Sequence, residues 1–80
     1  VADTYGWILV RAGETERGIA LLRQAAARAP DAGQIRYHLA AALVGAGQRD
    51  EARRLLGEAL ASVRPFAGRS EAERLLETLR

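Results

Sequence analysis

Cysteine, lysine and methionine are absent from this 80-residue chain, and proline, histidine and aromatic residues are scarce: two Pro, one His, one Trp, two Tyr and one Phe. Without cysteine there is no disulfide and no thiolate metal site, and cysteine usage says nothing about redox compartment. With so few aromatics, alanine supplies much of the apolar 49%. Alanine packs helices closely but buries little area, so a single core of this size is expected to be modestly stable. No run approaches the ~20 apolar residues that span a bilayer. No signal peptide is visible either. The chain opens at Val1 and holds no Met, which reads as an excised piece of a longer protein. Targeting information would then lie elsewhere, and the compartment, cytoplasmic or periplasmic, stays open. All twelve basic residues are Arg, set against ten acidic residues for a net charge of +2. A nucleic-acid reader gathers positive charge on one face. Here Arg11, Arg17, Arg23, Arg28, Arg36 and Arg49 are spread out and interrupted by acids. The expectation is a solvated surface and no nucleic-acid partner.

What the chain does have is a period. Shifted by 34 residues, Leu9, Val10, Ala12 and Gly13 fall on Leu43, Val44, Ala46 and Gly47, and Leu21, Leu22, Ala25 and Ala27 fall on Leu55, Leu56, Ala59 and Ala61. Gly6 falls on Ala40 and Gly18 on Ala52. A fixed step of this size marks stacked supersecondary units.

Apolar spacing predicts helices throughout and no strands. Tyr5, Ile8, Leu9 and Ala12 share one face of a first helix over 3–12, which Gly13 ends. A second helix starts near Thr15 or Glu16, buries Gly18, Leu21, Leu22, Ala25, Ala26 and Ala29, and stops at Pro30. Asp31 with Gln34 reads as a capping box opening a third helix, which ends at Gly47. The fourth runs from about Arg49 to Val63, and residues 64–69, with Pro65, Phe66 and Gly68, form a loop. Ser70 with Glu73 reads as a second capping box, opening a closing helix over Glu71–Leu79 with Ala72, Leu75, Leu76 and Leu79 on one side. A helix with one apolar and one charged side suits the end of a stack.

These residues resemble the tetratricopeptide repeat (TPR). A large–small pair (Tyr5-Gly6, Leu39-Ala40) is followed by a bulky residue (Leu9, Leu43), a turn glycine (Gly13, Gly47), a small residue (Gly18, Ala52), a bulky one (Leu22, Leu56), a second small one (Ala25, Ala59) and a helix-ending Pro30. The resemblance covers roughly 1–63. It implies an all-α fold of two helix-turn-helix repeats, about 1–31 and 32–64, and a capping helix at about 70–79, in one domain over 1–80. Pro65 falls one place late, so the second repeat's end is expected to be stretched. The runs Asp3-Thr4-Tyr5-Gly6-Trp7, Ile35-Arg36-Tyr37-His38-Leu39-Ala40 and Pro65-Phe66 are also similar to the C-terminal end of some bacterial multi-TPR proteins, among them TPR lipoproteins of exopolysaccharide and PEP-CTERM export systems.

No catalytic constellation is visible. The hydroxyls Thr4, Thr15, Ser62, Ser70 and Thr78 are few, several at helix ends, and Asp50-Glu51, Glu71 and Glu73 sit near helix starts where the dipole favours them. The expectation is no enzyme activity, no cofactor and no metal. The resemblance implies that the first helix of each pair lines a concave groove, with Asp3, Trp7, Val10 and Arg11, then Gln34, Tyr37, Ala41 and Val44, facing it. His38 lies beside Tyr37, either as a ligand contact or as a partly exposed residue bonded to a neighbour. Trp7 either anchors a partner or fills space between helices. TPR modules that clamp chaperone C-termini usually place Lys and Asn where Asp3 and Trp7 stand here, so that class of partner is not expected. The function implied is protein–protein interaction, with Asp3, Trp7, Arg11, Gln34, Tyr37, His38 and Ala41 as candidate partner-binding residues. The alternative is a structural cap of a longer superhelix with no ligand of its own, self-associating through Tyr5, Ile8 and Leu9 left uncovered on the first helix.

Overall fold

Among the described residues five helices follow one another: α1 (Ala2–Arg11), α2 (Thr15–Arg28), α3 (Gly33–Gly45), α4 (Arg49–Ala61) and α5 (Arg69–Leu79). The computed structural model describes residues 2–29, 31–62 and 65–80, with α1 side chains from Tyr5 onward. Pro30, Val63 and Arg64, used in the sequence reading, lie outside the described residues. The predicted turn glycines act as such: Gly13 and Gly47 have φ of +93° and +82°. Each ends its helix in the left-handed region that other residues resist. After each, a backbone N–H reaches back to the helix, Glu14 N–H to Leu9 O and Gln48 N–H to Leu43 O, both at 2.8 Å.

Short turns force consecutive helices antiparallel, so α1 packs on α2, α2 on α3, α3 on α4 and α4 on α5. The odd helices also meet, α1 with α3 and α3 with α5. The result is two layers, α1–α3–α5 over α2–α4, and the least extent of 17 Å suits two helix thicknesses. The fully buried large side chains are Leu22, Leu43 and Leu56, and α3, which touches all four other helices, buries Leu39, Ala40, Ala42 and Leu43 almost in succession. A helix surrounded by protein has no need of a polar stripe.

Small residues set the crossings. A Cβ on Gly18 would lie 2.6 Å from Gly6 O and against the Val10 side chain, and one on Gly6 would lie 3.1 Å from Gly18 O. In the second hairpin Ala40 and Ala52 hold the corresponding places, both at 0% exposure. The first crossing is therefore the tighter of the two. In α2 the buried set is Gly18, Ile19, Leu22 and Ala25; Ile19 joins the expected list, and Leu21 is only half-buried.

The expected capping boxes do not form. Asp31 lies in the turn ahead of α3, whose N-cap is Ala32, and no side chain caps that end. Ser70 is inside α5, which starts two residues earlier than expected from Gly68 at φ +92°. In both places the chain enters from a direction set by Phe66 and Tyr37. Phe66 lies over Gly33, where a Cβ would come 2.7 Å from its Cε1, and Tyr37 lies against Gly68, where a Cβ would come 2.9 Å from its Cδ2. The stretched repeat end is visible: α5 begins 36 residues after α3 (69 − 33), not 34.

Arginine fastens the closing helix at both ends. Arg53 Nε donates to Leu79 O at 3.1 Å and Arg49 to Thr78 O at 3.4 Å; from the other end Arg69 donates to Leu60 O at 3.1 Å and Ser62 O at 3.0 Å. These last carbonyls of a helix have no intrahelical donor. Across the outer layer, Arg23 grips Glu51 with two bonds, 2.5 and 3.0 Å, joining α2 to α4.

Two outcomes follow for stability. Gly18→Ala should cost about 2 kcal/mol in urea unfolding, because backbone as well as Val10 must move. The Arg23 guanidinium holds the Glu51 carboxyl below its ordinary range, so the pair stabilises above that range and the contribution is lost as pH falls through the lowered value. With Arg23 half in solvent, Glu51→Gln should cost about 0.5 kcal/mol at neutral pH, and the gap to the parent should close on acidification.

Candidate functional site

The first-helix layer carries the aromatic side chains of interest. Trp7 on α1 stacks face to face on His38 of α3, with ring centroids 4.4 Å apart and planes within 11°. Tyr37 lies tilted against His38, at 5.6 Å and 44°. Consecutive helical residues point in different directions, so His38 turns back to α1 while Tyr37 turns on to α5. Burial raises the Tyr37 phenol above its ordinary range, with a smaller contribution from the Glu71 carboxylate.

Between these walls α3 is low. Ala41 is half-buried, and a Cβ on Gly45, one turn later, would meet nothing within 4 Å. A shallow groove of about 360 Å³ runs here, lined by Tyr37 and Ala41 on α3 and by Glu71, Arg74, Leu75 and Thr78 on α5. Arg11, one turn beyond Trp7, is exposed. Neither Arg11 nor Arg74 makes an ion pair among the described residues, whereas Arg17, Arg23, Arg36, Arg53, Arg54, Arg69 and Arg80 all do.

The structure thus brings together Trp7 with His38, and Tyr37 with Ala41. It separates Gln34, which lines a larger hollow of about 890 Å³ at the start of α3 with Arg36, Glu58, Ser62 and Phe66. Asp3 lies in α1, and its side chain is outside the described set. Val10 and Val44 are not among the residues that line this groove; both are half-buried against the core, Val10 over Gly18, where the glycine crossing draws that side of α1 onto α2. The α5 residues Glu71, Arg74, Leu75 and Thr78 were missed. Only Leu75 carried a signal, as part of an apolar stripe, because the two-residue stretch before α5 breaks the 34-residue correspondence that pointed to the others.

Among the described residues, no group of three or more His, Cys, Asp or Glu is placed to hold a metal, and no helix is long and apolar enough to cross a membrane. The family model for the tetratricopeptide repeat matches residues 9–67. No curated protein and no solved structure matches the chain.

The stack makes a definite energetic claim. In a double-mutant cycle, Trp7→Ala and His38→Ala should show a coupling of about 0.5–1 kcal/mol by urea unfolding, and His38→Ala should shift the emission of this single-tryptophan chain. Strict additivity would mean that the two rings do not support each other.

Proposed function

The chain belongs to the tetratricopeptide repeat family, whose repeats generally mediate protein–protein interaction, and on that premise we propose that it is a non-enzymatic module that holds an extended peptide segment of a partner across the α1–α3–α5 face. One domain over 1–80 would do this, with repeats at about 1–31 and 32–64 and the closing helix supplying the third wall. The observation that carries the reading is the groove between α3 and α5, floored by Ala41 and bordered by Tyr37, Arg74 and Leu75, with open space beyond it at Gly45. The small Ala41 admits a main chain or a modest side chain, while Tyr37 and Leu75 line the groove with apolar surface and Trp7, on α1, stands against His38 on the same layer.

Charge supports a partner of definite polarity. Arg74 in the groove and Arg11 beside Trp7 are cations with no carboxylate among the described residues, so an acidic side chain or a terminal carboxylate on the peptide would complete them. Glu71 sits one turn before Arg74 on the same wall and would favour a backbone N–H or a basic residue. The peptide would then lie with its acidic end toward the C-terminal ends of the first helices.

Selection of binders from a displayed peptide library on the intact chain tests this. Enriched sequences should pair an acidic residue with small or medium apolar neighbours. Arg74→Glu should weaken them about tenfold, Ala41→Trp should block them, and Trp7→Ala should weaken them while the far-UV spectrum stays helical. Binders indifferent to both Arg74→Glu and Ala41→Trp would place the interaction elsewhere.

A further inference from the structure

Five times in this chain an acid is followed three residues later by arginine: Glu14–Arg17, Asp50–Arg53, Glu51–Arg54, Glu71–Arg74 and Glu77–Arg80. On helical backbone that order and spacing bring the two charges side by side and favour their pairing. Four of the five close, at 2.6, 3.2, 4.0 and 3.6 Å. Glu71 and Arg74 do not, and neither forms an ion pair with any other described residue. The open pair is also the one whose two members both line the groove between α3 and α5. Glu71 stands in the first turn of α5, where the helix dipole draws a carboxylate toward the helix start and away from Arg74. Across the groove it acts on Tyr37, whose phenol is raised first by burial and then by this carboxylate. Arg74 is exposed and lines the groove together with Ala41. The groove thus offers one uncommitted anion and one uncommitted cation a helical turn apart.

We propose that this open pair reads a charge dyad: the bound peptide carries a basic and an acidic side chain two residues apart, the first on Glu71 and the second on Arg74, with a small residue between them turned to Ala41. This deepens the peptide reading of the groove and rests on it. The spacing follows from geometry. Helical residues three apart have Cβ atoms about 5–6 Å apart. In an extended strand, side chains two residues apart leave the same side about 6.6 Å apart, and the one between them leaves on the other side. A strand along the groove with two side chains on α5 therefore turns the middle one to α3, where Ala41 leaves room. The Thr78 hydroxyl donates to Leu75 O at 2.7 Å, so toward a ligand it offers only lone pairs, which suit a main-chain N–H. A peptide with acids alone would set like charge against Glu71, and one with bases alone would set it against Arg74; mixed charge satisfies both.

Selection from a displayed library of randomised peptides, run in parallel on the parent, Glu71→Arg and Arg74→Glu chains, reads the dyad whichever way the ligand's chain runs. The parent should enrich opposite charges two residues apart. Glu71→Arg should enrich two acids at that spacing, and Arg74→Glu two bases. A synthesised peptide from the parent's set should lose about tenfold in affinity on either variant, and about as much when one residue inserted between its charges sends them to opposite sides. Glu16→Arg, the same charge change at an exposed site on α2, should keep the parent's pattern, which separates local pairing from net charge. Enrichment on the parent of acids without a basic partner, or one pattern shared by the parent and both groove variants, overturns the proposal; if Ala41→Trp still blocks those binders, the peptide reading survives it. Binders that Ala41→Trp leaves untouched, or no enrichment on any chain, overturn both.

Discussion

The close passage of two helix backbones at Gly6 and Gly18 is the constraint from which the rest of the first repeat is built. With no Cβ on either residue, carbonyl oxygens of α1 and α2 come within reach of the opposite Cα, and helices this near must place their larger residues to either side of the crossing. Val10 folds over Gly18 and Leu9, expected to stay uncovered, is buried. That rotation leaves Trp7 facing α3, where His38 receives it. The second hairpin repeats the arrangement with one extra methyl on each helix, Ala40 and Ala52, and is looser by that amount. A single dimension, how near two helices may lie, thus decides which side chains are core and which are available to a partner.

Arginine has two distinct roles in this molecule. Most of the guanidinium groups are committed. Arg23 spans α2 and α4 through Glu51, Arg36 and Arg54 share Glu58 at 3.6 and 3.0 Å, and Arg49, Arg53 and Arg69 bind the carbonyl ends of α4 and α5. A planar fork with five donors suits carbonyl and carboxylate targets in a way that an ammonium does not, which gives the all-arginine composition a structural use. Individually these surface bonds are worth little. Their value lies in position: α5 shares a modest apolar stripe with the core, and bonds at both of its ends hold it in one register. Arg11, Arg28 and Arg74 stand outside this scheme among the described residues, and of the three only Arg74 lines the groove.

Much of this was legible from the primary structure, for a physical reason. A repeat writes each packing requirement twice, so Gly6 with Ala40, Gly18 with Ala52, and Gly13 with Gly47 announce themselves by recurrence. The crossings, the turns and the central leucines were readable because they obey the period. What the sequence hid is whatever occurs once. Phe66 over Gly33 and Tyr37 against Gly68 are contacts between residues some thirty positions apart with no counterpart in the other repeat, and they set where α3 and α5 begin. The capping-box spacing at Asp31 and Ser70 is local chemistry that was present but outvoted, since a cap forms only if the chain approaches from the right direction. For the candidate site, Trp7, Tyr37 and Ala41 could be placed from the first-helix pattern. The α5 wall could not, because two extra residues before α5 shift Arg74 and Thr78 out of register.

The depth of the groove is a consequence of how the core was filled. Helix α3 touches every other helix and turns Leu39, Ala40, Ala42 and Leu43 inward. The positions left facing outward along its middle are those with the least side chain, Ala41 and Gly45. One period earlier, the counterpart of Ala41 is Trp7. Exchange of these two sizes would raise a ridge on the central helix and leave α1 flat. As it stands, the large ring is on the outer helix, braced by His38, and the central helix is the floor. A concave wall follows from that ordering of volumes alone, before any curvature of the stack is considered. On the proposed peptide-binding reading, the same ordering would let the aromatic residues serve fold and partner together: a ring fixed by a neighbour on one face loses little further freedom when a ligand covers its edge.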